Sequence, residues 1–396
     1  MDTGDRGIRK GRGAISNPEG RFETLTRGAV DDGWGSLEEE LPPLETVVRP
    51  EPARTIITRN RSPDISFTQS INPYRGCEHG CIYCYARPSH AYLNLSPGLD
   101  FETKIFYKDN AAALLEQELR KPGYVCEPIA LGTNTDPYQP VERRHRVTRG
   151  LLEVMQRFRQ PLSIVTKGAA LLERDLDILA EMARANLVVV AISITSLKDG
   201  IKRTLEPRAA SPAARLRLVR RLTDAGIPAM VMVAPVIPAV TDAEIESILE
   251  AARDAGALAA GYVMLRLPWE VKDLFRQWLE ARAPLKANHV MSLMRQMHGG
   301  EPQHTGAAVV TDPDGFNQEA LAAPAGETPG PYRRNEYYTA QWGLRQRGSG
   351  PYAALVEKRF ELACRRLGLD RWERLRLDTT QFRVPAGAGP QLGLDF

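Results

Sequence analysis

Six short apolar runs, each followed by a helix-length amphipathic stretch, fill the middle of this 396-residue chain and restrict its fold more than any other feature. The runs are Ile65–Ile71, Ile129–Gly132, Leu162–Thr166, Leu187–Ile194, Ala229–Ala234 and Tyr262–Leu265. The helical stretches lie near Ala111–Leu119, Val147–Phe158, Leu171–Ala185, Ala213–Ala225, Thr241–Ala255 and Val271–Ala281. On the third, Leu172, Leu176, Leu179 and Met182 share one face, as a helix packed on a sheet requires. The fifth opens with Thr241 and Glu244 at the spacing of a capping box. Strict alternation implies a parallel sheet with right-handed crossovers. Six units fall short of the usual eight, so the expected fold is α/β, a partial (β/α)6 barrel of the TIM type. In such barrels the chemistry sits at the C-terminal ends of the strands.

The loop after the first run carries candidate chemistry. Cys77, Cys81 and Cys84 stand in C-x3-C-x2-C spacing within Arg75-Gly-Cys-Glu-His-Gly-Cys-Ile-Tyr-Cys-Tyr85. Three thiolates on one short loop can hold three irons of a [4Fe–4S] cluster and leave the fourth open to a substrate or cofactor. Zinc is the main rival, but a structural zinc site needs four ligands, usually as two close pairs. Only Cys126 and Cys364 remain, each isolated, and His79 and His90 have no partner at zinc-finger spacing. The ligand count favours the open cluster.

Composition narrows the setting. The apolar fraction of 43% suits a chain with a real core. No run of about 18 apolar residues occurs, so no transmembrane helix is expected. The opening Met1-Asp-Thr-Gly-Asp-Arg6 lacks the apolar stretch of a signal peptide. Five cysteines, three of them clustered, make no disulfide framework, and the expected location is the cytoplasm. A net charge of +3 neither demands nor excludes a nucleic-acid partner. Four regions are expected. Residues 1–60, rich in Gly, Pro and charge, read as an extended or disordered arm. Residues 61–285 form the barrel. Residues 286–384 form an extension with a long loop over 300–350 and a helix over 352–367, apolar at Leu355, Phe360, Leu362 and Ala363 and ending at Gly368. Residues 385–396 are a flexible tail.

The cysteine spacing, with Tyr83 before the third cysteine and a partial barrel around it, resembles the radical S-adenosylmethionine superfamily over residues 66–285. Within it the chain is most similar to the spore photoproduct lyase-like branch. The closer match lies in Thr133-Asn-Thr-Asp136, Val165-Thr-Lys167, Ile192-Ser-Ile194, Val233-Ala-Pro235, Leu205-Glu-Pro207 and Arg215. Gly11-Arg-Gly-Ala-Ile-Ser-Asn-Pro18 and the C-terminal region resemble a bacterial subgroup of that branch. The resemblance implies that the open iron binds S-adenosylmethionine. A reduced cluster then cleaves it to methionine and a 5′-deoxyadenosyl radical, which takes a hydrogen atom from a substrate. It also implies a low-potential electron donor of the flavodoxin or ferredoxin type. Tyr83 and Tyr85 are expected to wall the cofactor pocket. Lys167 is expected to pair with the cofactor's carboxylate, Thr135 and Ser193 to supply hydroxyls, and Asn134 and Asp136 to accept from its amino group. Strand-end Ser and Thr also serve as plain helix caps, a strand-end Lys can simply reach water, and Glu206 with Arg215 reads as a structural ion pair. The lyase carries a cysteine hydrogen donor where this chain has Thr133, and a hydroxyl is a poor substitute for a thiol. No residue of the chain is assigned as catalytic on sequence alone.

The last residues, Gln391-Leu-Gly-Leu-Asp-Phe396, resemble the short peptide that bacterial DNA proteins insert into the sliding clamp. Leu392, Leu394 and Phe396 would be the anchors and Gln391 the polar contact. The reading is a radical S-adenosylmethionine enzyme whose substrate is a nucleic-acid lesion, with DNA and the clamp as partners. The same chemistry on a protein or small molecule is one alternative. An iron–sulfur electron carrier or redox sensor is another.

Overall fold

A computed structural model describes residues 8–23, 44–298 and 336–386. Its main sheet contains β1 (Gln69–Ile71), β2 (Ile129–Leu131), β3 (Leu162–Thr166), β4 (Val188–Ser193), β5 (Ala229–Val236) and β6 (Ala259–Met264). Each pairs in parallel with the next. A short antiparallel strand, Thr58–Arg59, lies on the far side of β1, and the sheet stays open between that edge and β6. Between the strands run α1 (Ala111–Leu119), α2 (Val147–Phe158), α3 (Leu176–Arg184), α4 (Pro212–Asp224) and α5 (Ile245–Asp254). This is the expected partial barrel. The central strand β4 is buried at every position, as a strand covered on both faces should be. Burial alternates along β3 and β5, so that Ser163, Val165, Met230 and Met232 are only half-buried while their neighbours are buried.

Three local expectations need correction. The third helical stretch is broken after Glu173, where buried Asp175 takes hydrogen bonds from Arg149 and Arg174. The Thr241/Glu244 capping box does not form. Thr241 Oγ1 instead accepts from Ile237 N, and the Glu244 carboxylate is recruited by Ser196 Oγ and Leu197 N of the loop after β4. The helix therefore starts at Ile245, after a 3₁₀ turn. The third correction concerns the sixth unit. The helix after β6, α6 (Val271–Arg282), stands where expected but packs on α7 (Pro284–His298), a helix not anticipated in the sequence, and meets the segment that follows β4. There Trp278 Nε1 donates to Thr204 O at 3.1 Å.

The outer face of β6 is covered by the C-terminal helix α8 (Gly350–Leu367). The Phe360 ring lies 4.7 Å from that of Tyr262, and Arg359 and Arg366 pair with Glu246 and Glu250 of α5. Gly368 ends α8 in the left-handed conformation, φ 65°, which favours glycine. The main chain beyond it covers the free edge of β6, with Ala260 N donating to Leu369 O. Leu355 and Leu362, expected on the apolar face, are 54% and 55% exposed, because the helix turns Ala353, Val356, Phe360 and Ala363 inward instead. Residues 378–385 then run beneath the N-terminal ends of the strands. Arg383 N donates to Phe158 O, and Phe382 packs between Tyr124 and Phe158.

The N-terminal region also gains structure. Residues 8–23 lie against the loop after β1, with Ala14 fully buried, and Val47–Pro50 pairs in parallel with Lys104–Tyr107 in a second small sheet. The arm expected to be extended or disordered is, over these residues, extended and anchored. The Gln391–Phe396 tip and residues 299–335, most of the expected long loop, lie outside the described residues.

Because α8 completes the barrel, Phe360→Ala is expected to cost about 3 kcal/mol in urea denaturation, as large-to-small core changes do. Leu362→Ala, two residues away on the exposed face, should change stability by less than about 0.5 kcal/mol.

Candidate active site

The cysteine loop leaves β1 and returns through the short helix Leu99–Thr103 and the strand Lys104–Tyr107. A loop of this kind cannot satisfy its own peptide groups, so other elements supply the partners. Cys77 N donates to Phe101 O, and Ile82 N to Leu205 O. Fully buried Gln139 accepts from Glu78 N and donates to Gly76 O, and so brackets Cys77 from both sides. Arg87, fully buried, donates from Nε to Cys81 O at 2.9 Å and from Nη2 to Glu102 at 2.5 Å. Cys77 and Cys81 are buried and Cys84 half-buried, all with free thiols. Burial holds the Cys77 thiol well above its usual pKa, with Asp136 and the other two thiols adding to the effect. Burial likewise pushes Cys81 up to about 12, against the pull of Lys167. Among the described residues no group of three or more His, Cys, Asp or Glu forms a site for a single metal ion.

The strand ends face this loop unequally. Lys167, at the end of β3, places Nζ 5.8 Å from the Tyr83 ring centroid. Its Nζ makes no hydrogen bond or ion pair among the described residues. Burial opposes its charge, but the Cys81 thiol and Glu206 outweigh it and hold the pKa above the usual lysine value. Tyr85 donates its hydroxyl to Thr133 O, and the Arg266 guanidinium, at the end of β6, lies 3.9 Å above its ring. Arg266 Nε is buried without a partner. The Asn134 side-chain amide likewise makes no hydrogen bond among the described residues, while its main-chain N donates to Asn72 Oδ1. Lys167, Arg266 and Asn134 are therefore the groups with polar capacity left for a ligand, and Tyr85 adds its ring.

Other expected site residues are committed to the protein. Thr135 Oγ1 donates to Tyr74 O, and Ser193 Oγ to Ala234 O. Asp136 accepts from Thr166 Oγ1, Tyr138 N and Lys167 N and lies 3.3 Å from His79 Nδ1. Burial would raise its pKa, but His79 and these donors bring it down to about 2. It therefore ties β2, β3 and the cysteine loop together. The positive φ of Gly132, 89°, makes this turn possible: a side chain there would strike Val165 O. Tyr83, expected in the pocket wall, sends its hydroxyl to Glu206, which also accepts from Thr195 Oγ1 and Arg215. Arg215 Nη1 donates onward to Ser193 O. Glu206 and Arg215 are indeed an ion pair, but one that fixes Tyr83 between the second and third cysteines. Burial opposes the charge of Glu206, yet Arg215, Lys167, Thr195 and Tyr83 lower its pKa to about 2. Gln139, Arg87, Glu102, Thr195 and Arg266 had no motif to mark them.

Residues 71–252 match the radical SAM superfamily. Uncharacterised proteins of Mycobacterium bovis and Mycobacterium tuberculosis are 40% identical over 234 residues, which is 59% of this chain and 68% of theirs. An uncharacterised protein of Methanocaldococcus jannaschii is 28% identical over 174 residues, 44% of this chain and 62% of its own. Among solved structures, spore photoproduct lyase complexed with dinucleoside spore photoproduct aligns with a TM-score of 0.44 at 18% identity, covering 60% of this chain and 66% of that one. A radical S-adenosylmethionine methyltransferase from Kitasatospora setae, with cobalamin and a [4Fe–4S] cluster bound, aligns with a TM-score of 0.37 at 18% identity, covering 50% of this chain and 34% of that one.

Two measurements check this geometry. Cys77→Ala, Cys81→Ala or Cys84→Ala should each abolish the iron–sulfur absorption of protein reconstituted without oxygen; an intact [4Fe–4S] spectrum in any one contradicts the assignment. His90, behind the loop, bonds Lys104 O through Nε2, leaves Nδ1 buried without a partner, and has its pKa lowered by burial to about 4. The unfolded chain then binds a proton that the native chain refuses, so stability falls as pH drops from about 6.5 to 4, by about 3 kcal/mol. Urea denaturation across that window should show a smaller loss in His90→Asn.

Proposed function

This chain belongs to the radical SAM superfamily, and from that premise we propose that it directs radical chemistry at a nucleic-acid lesion held by its phosphate. It is an enzyme whose cofactors are a [4Fe–4S] cluster and S-adenosylmethionine. The residues present fit both. Three unpaired thiols on one loop are a donor set for three irons, and the positive charge of iron removes thiol protons that burial otherwise retains. Lys167, with no ion-pair partner, is positioned for the carboxylate of the cofactor. When bound, this pair of groups supplies a 5′-deoxyadenosyl radical that takes a hydrogen atom from a substrate carbon, with the electron coming from an external donor of the flavodoxin or ferredoxin type.

The chain's own part is to bind, orient and exclude water. Tyr83 holds its place through Glu206 and Arg215, and the main chain of β3 and β4 is braced by Asp136 and Arg215. The observation that carries the substrate reading is a second cation beside the thiols. Arg266 lies over Tyr85, where both it and Lys167 oppose the rise that burial gives the Tyr85 pKa. One cation suffices for the cofactor's carboxylate, and the other suits a phosphate, which a guanidinium recognises well. Thr133 donates its hydroxyl to Asn72 Oδ1, and the remaining thiols lie elsewhere: Cys126 beside Gln160, and Cys364 in α8. The proposed reaction is therefore not the thymine-dimer reversal of the lyase that the chain resembles.

The sliding clamp is the partner proposed for Gln391, Leu392, Leu394 and Phe396, with DNA beside it. Among the described residues, Pro385 O accepts from Arg120 Nη1 at 2.8 Å. Among the described residues no helix is long and apolar enough to cross a membrane.

The test is deuterium transfer into 5′-deoxyadenosine from deuterated oligonucleotides carrying candidate lesions, using reconstituted enzyme and reductant. Label is expected from one of these, and Arg266→Gln should raise the KM for that oligonucleotide about tenfold. Label arising instead from peptides or small metabolites defeats the substrate reading. Calorimetry with the clamp should show binding by the full chain that Gln391→Ala combined with Phe396→Ala removes.

A further inference from the structure

We propose that residues 11–18 are a positioning element of the iron site, a strap that sets the cysteine loop from behind. The strap meets the loop main chain to main chain. Gly13 lies so close to Gly80, the residue before Cys81, that a Cβ at position 13 would come 1.8 Å from Gly80 O. Only glycine permits that approach. Gly13 N and Ala14 N then donate to the two oxygens of Glu102 at 2.9 and 2.8 Å. That same carboxylate takes Arg87 Nη2, and Arg87 Nε holds Cys81 O. Two main-chain donors of the strap are thus linked, through one buried carboxylate and one buried guanidinium, to the carbonyl of a cluster ligand.

The other end of the strap is fixed elsewhere. Asn17 exchanges two hydrogen bonds with Asp100, and Ser16 Oγ donates to Gln277 of α6 at 2.6 Å. The strap therefore runs from behind the cysteine loop, which follows β1, to the helix that follows β6. It spans the side of the barrel where the sheet is open. A complete barrel would brace this loop with further strands, and here a segment distant in sequence does so. Glu102 makes the coupling specific. Neither it nor Arg87 has any exposed surface, so their charges are balanced by each other, by the strap and loop groups they bind, and by the strap's own Arg12, whose Nη1 donates to Glu102 O at 3.0 Å. Displacing the strap leaves two hydrogen-bond sites on Glu102 empty, and the loop must move to fill them. This inference rests on the three thiols holding the cluster and is independent of the substrate.

Two readouts test it in the full chain. The first is anaerobic loss of iron from reconstituted protein to a chelator. Gly13→Ala should lose iron about 10- to 100-fold faster than the wild type, the usual cost of disturbing groups that orient metal ligands. Lys10→Ala, an exposed neighbour that reaches neither loop nor Glu102, should match the wild type. The second needs no substitution and decides the matter if Gly13→Ala does not fold. Amide hydrogen exchange at Gly13 and Ala14 is compared between iron-free and reconstituted wild-type protein. Strap and loop acting as one unit predicts exchange about tenfold slower in the loaded protein, because coupling between the two is reciprocal. Wild-type iron retention in folded Gly13→Ala, or exchange at Gly13 and Ala14 unchanged by loading, overturns the proposal. Cysteine variants that still retain the cluster would instead remove the ligand assignment beneath it.

Discussion

The buried pair of Arg87 and Glu102 is the contact on which the site depends. A loop carrying three thiols has too few internal hydrogen bonds to fix its own shape, and an iron–sulfur cluster tolerates little freedom in its ligands. Here the guanidinium takes the carbonyls of Cys81, Pro97 and Gly98, and the carboxylate takes two amides from the N-terminal strap. A buried ion pair is weak evidence for stability, because desolvation offsets much of the attraction. Its value here is geometric: beyond the contact of Nη2 with the carboxylate, the guanidinium is committed to main chain of the loop and the carboxylate to main chain of the strap. Gln139 and Leu205 do the same work on the other side, and Glu206 with Arg215 fixes Tyr83.

An open barrel creates two difficulties, and each end of the chain meets one. The free edge and outer face of β6 would expose hydrogen-bonding groups and apolar surface. Residues 350–371 cover them, taking the place of the helix that directly follows the strand. That freed helix, α6, meets the segment after β4 and the N-terminal strap, where Trp278 and Gln277 bond Thr204 and Ser16. The open side beside the cysteine loop is crossed by residues 11–23. The sheet and first five helices thus form a frame, and segments far apart in sequence finish it around the site.

The frame was legible because period and composition report local burial. The β3 run and the α1 and α2 stretches have the predicted limits, and the three cysteines announce themselves by spacing. What was not legible depended on partners distant in the chain. Nothing local in Gly11–Pro18 shows that Arg12, Gly13, Ala14 and Ser16 will be buried, since the partners that bury them, Glu102 and Gly80 among them, lie far along the chain. The Thr241/Glu244 pattern is a sound capping box until Ser196 and Leu197, from the loop after β4, claim the carboxylate. Leu355 and Leu362 look like core until α8 is seen to turn Phe360 toward Tyr262. Ser193, Thr135 and Asp136 stand at strand ends as expected, but their hydrogen bonds go to the protein. Arg266 followed no motif at all.

The central claim is that three thiols hold a cluster with one iron left open beside Lys167. Electron paramagnetic resonance of the reduced, reconstituted protein tests it most directly. An open iron predicts that S-adenosylmethionine changes the g-values of the reduced [4Fe–4S] signal, and that the change is weakened in Lys167→Ala. A signal that S-adenosylmethionine leaves unchanged, in protein with a full cluster, would mean that the fourth iron is already ligated and would contradict the account.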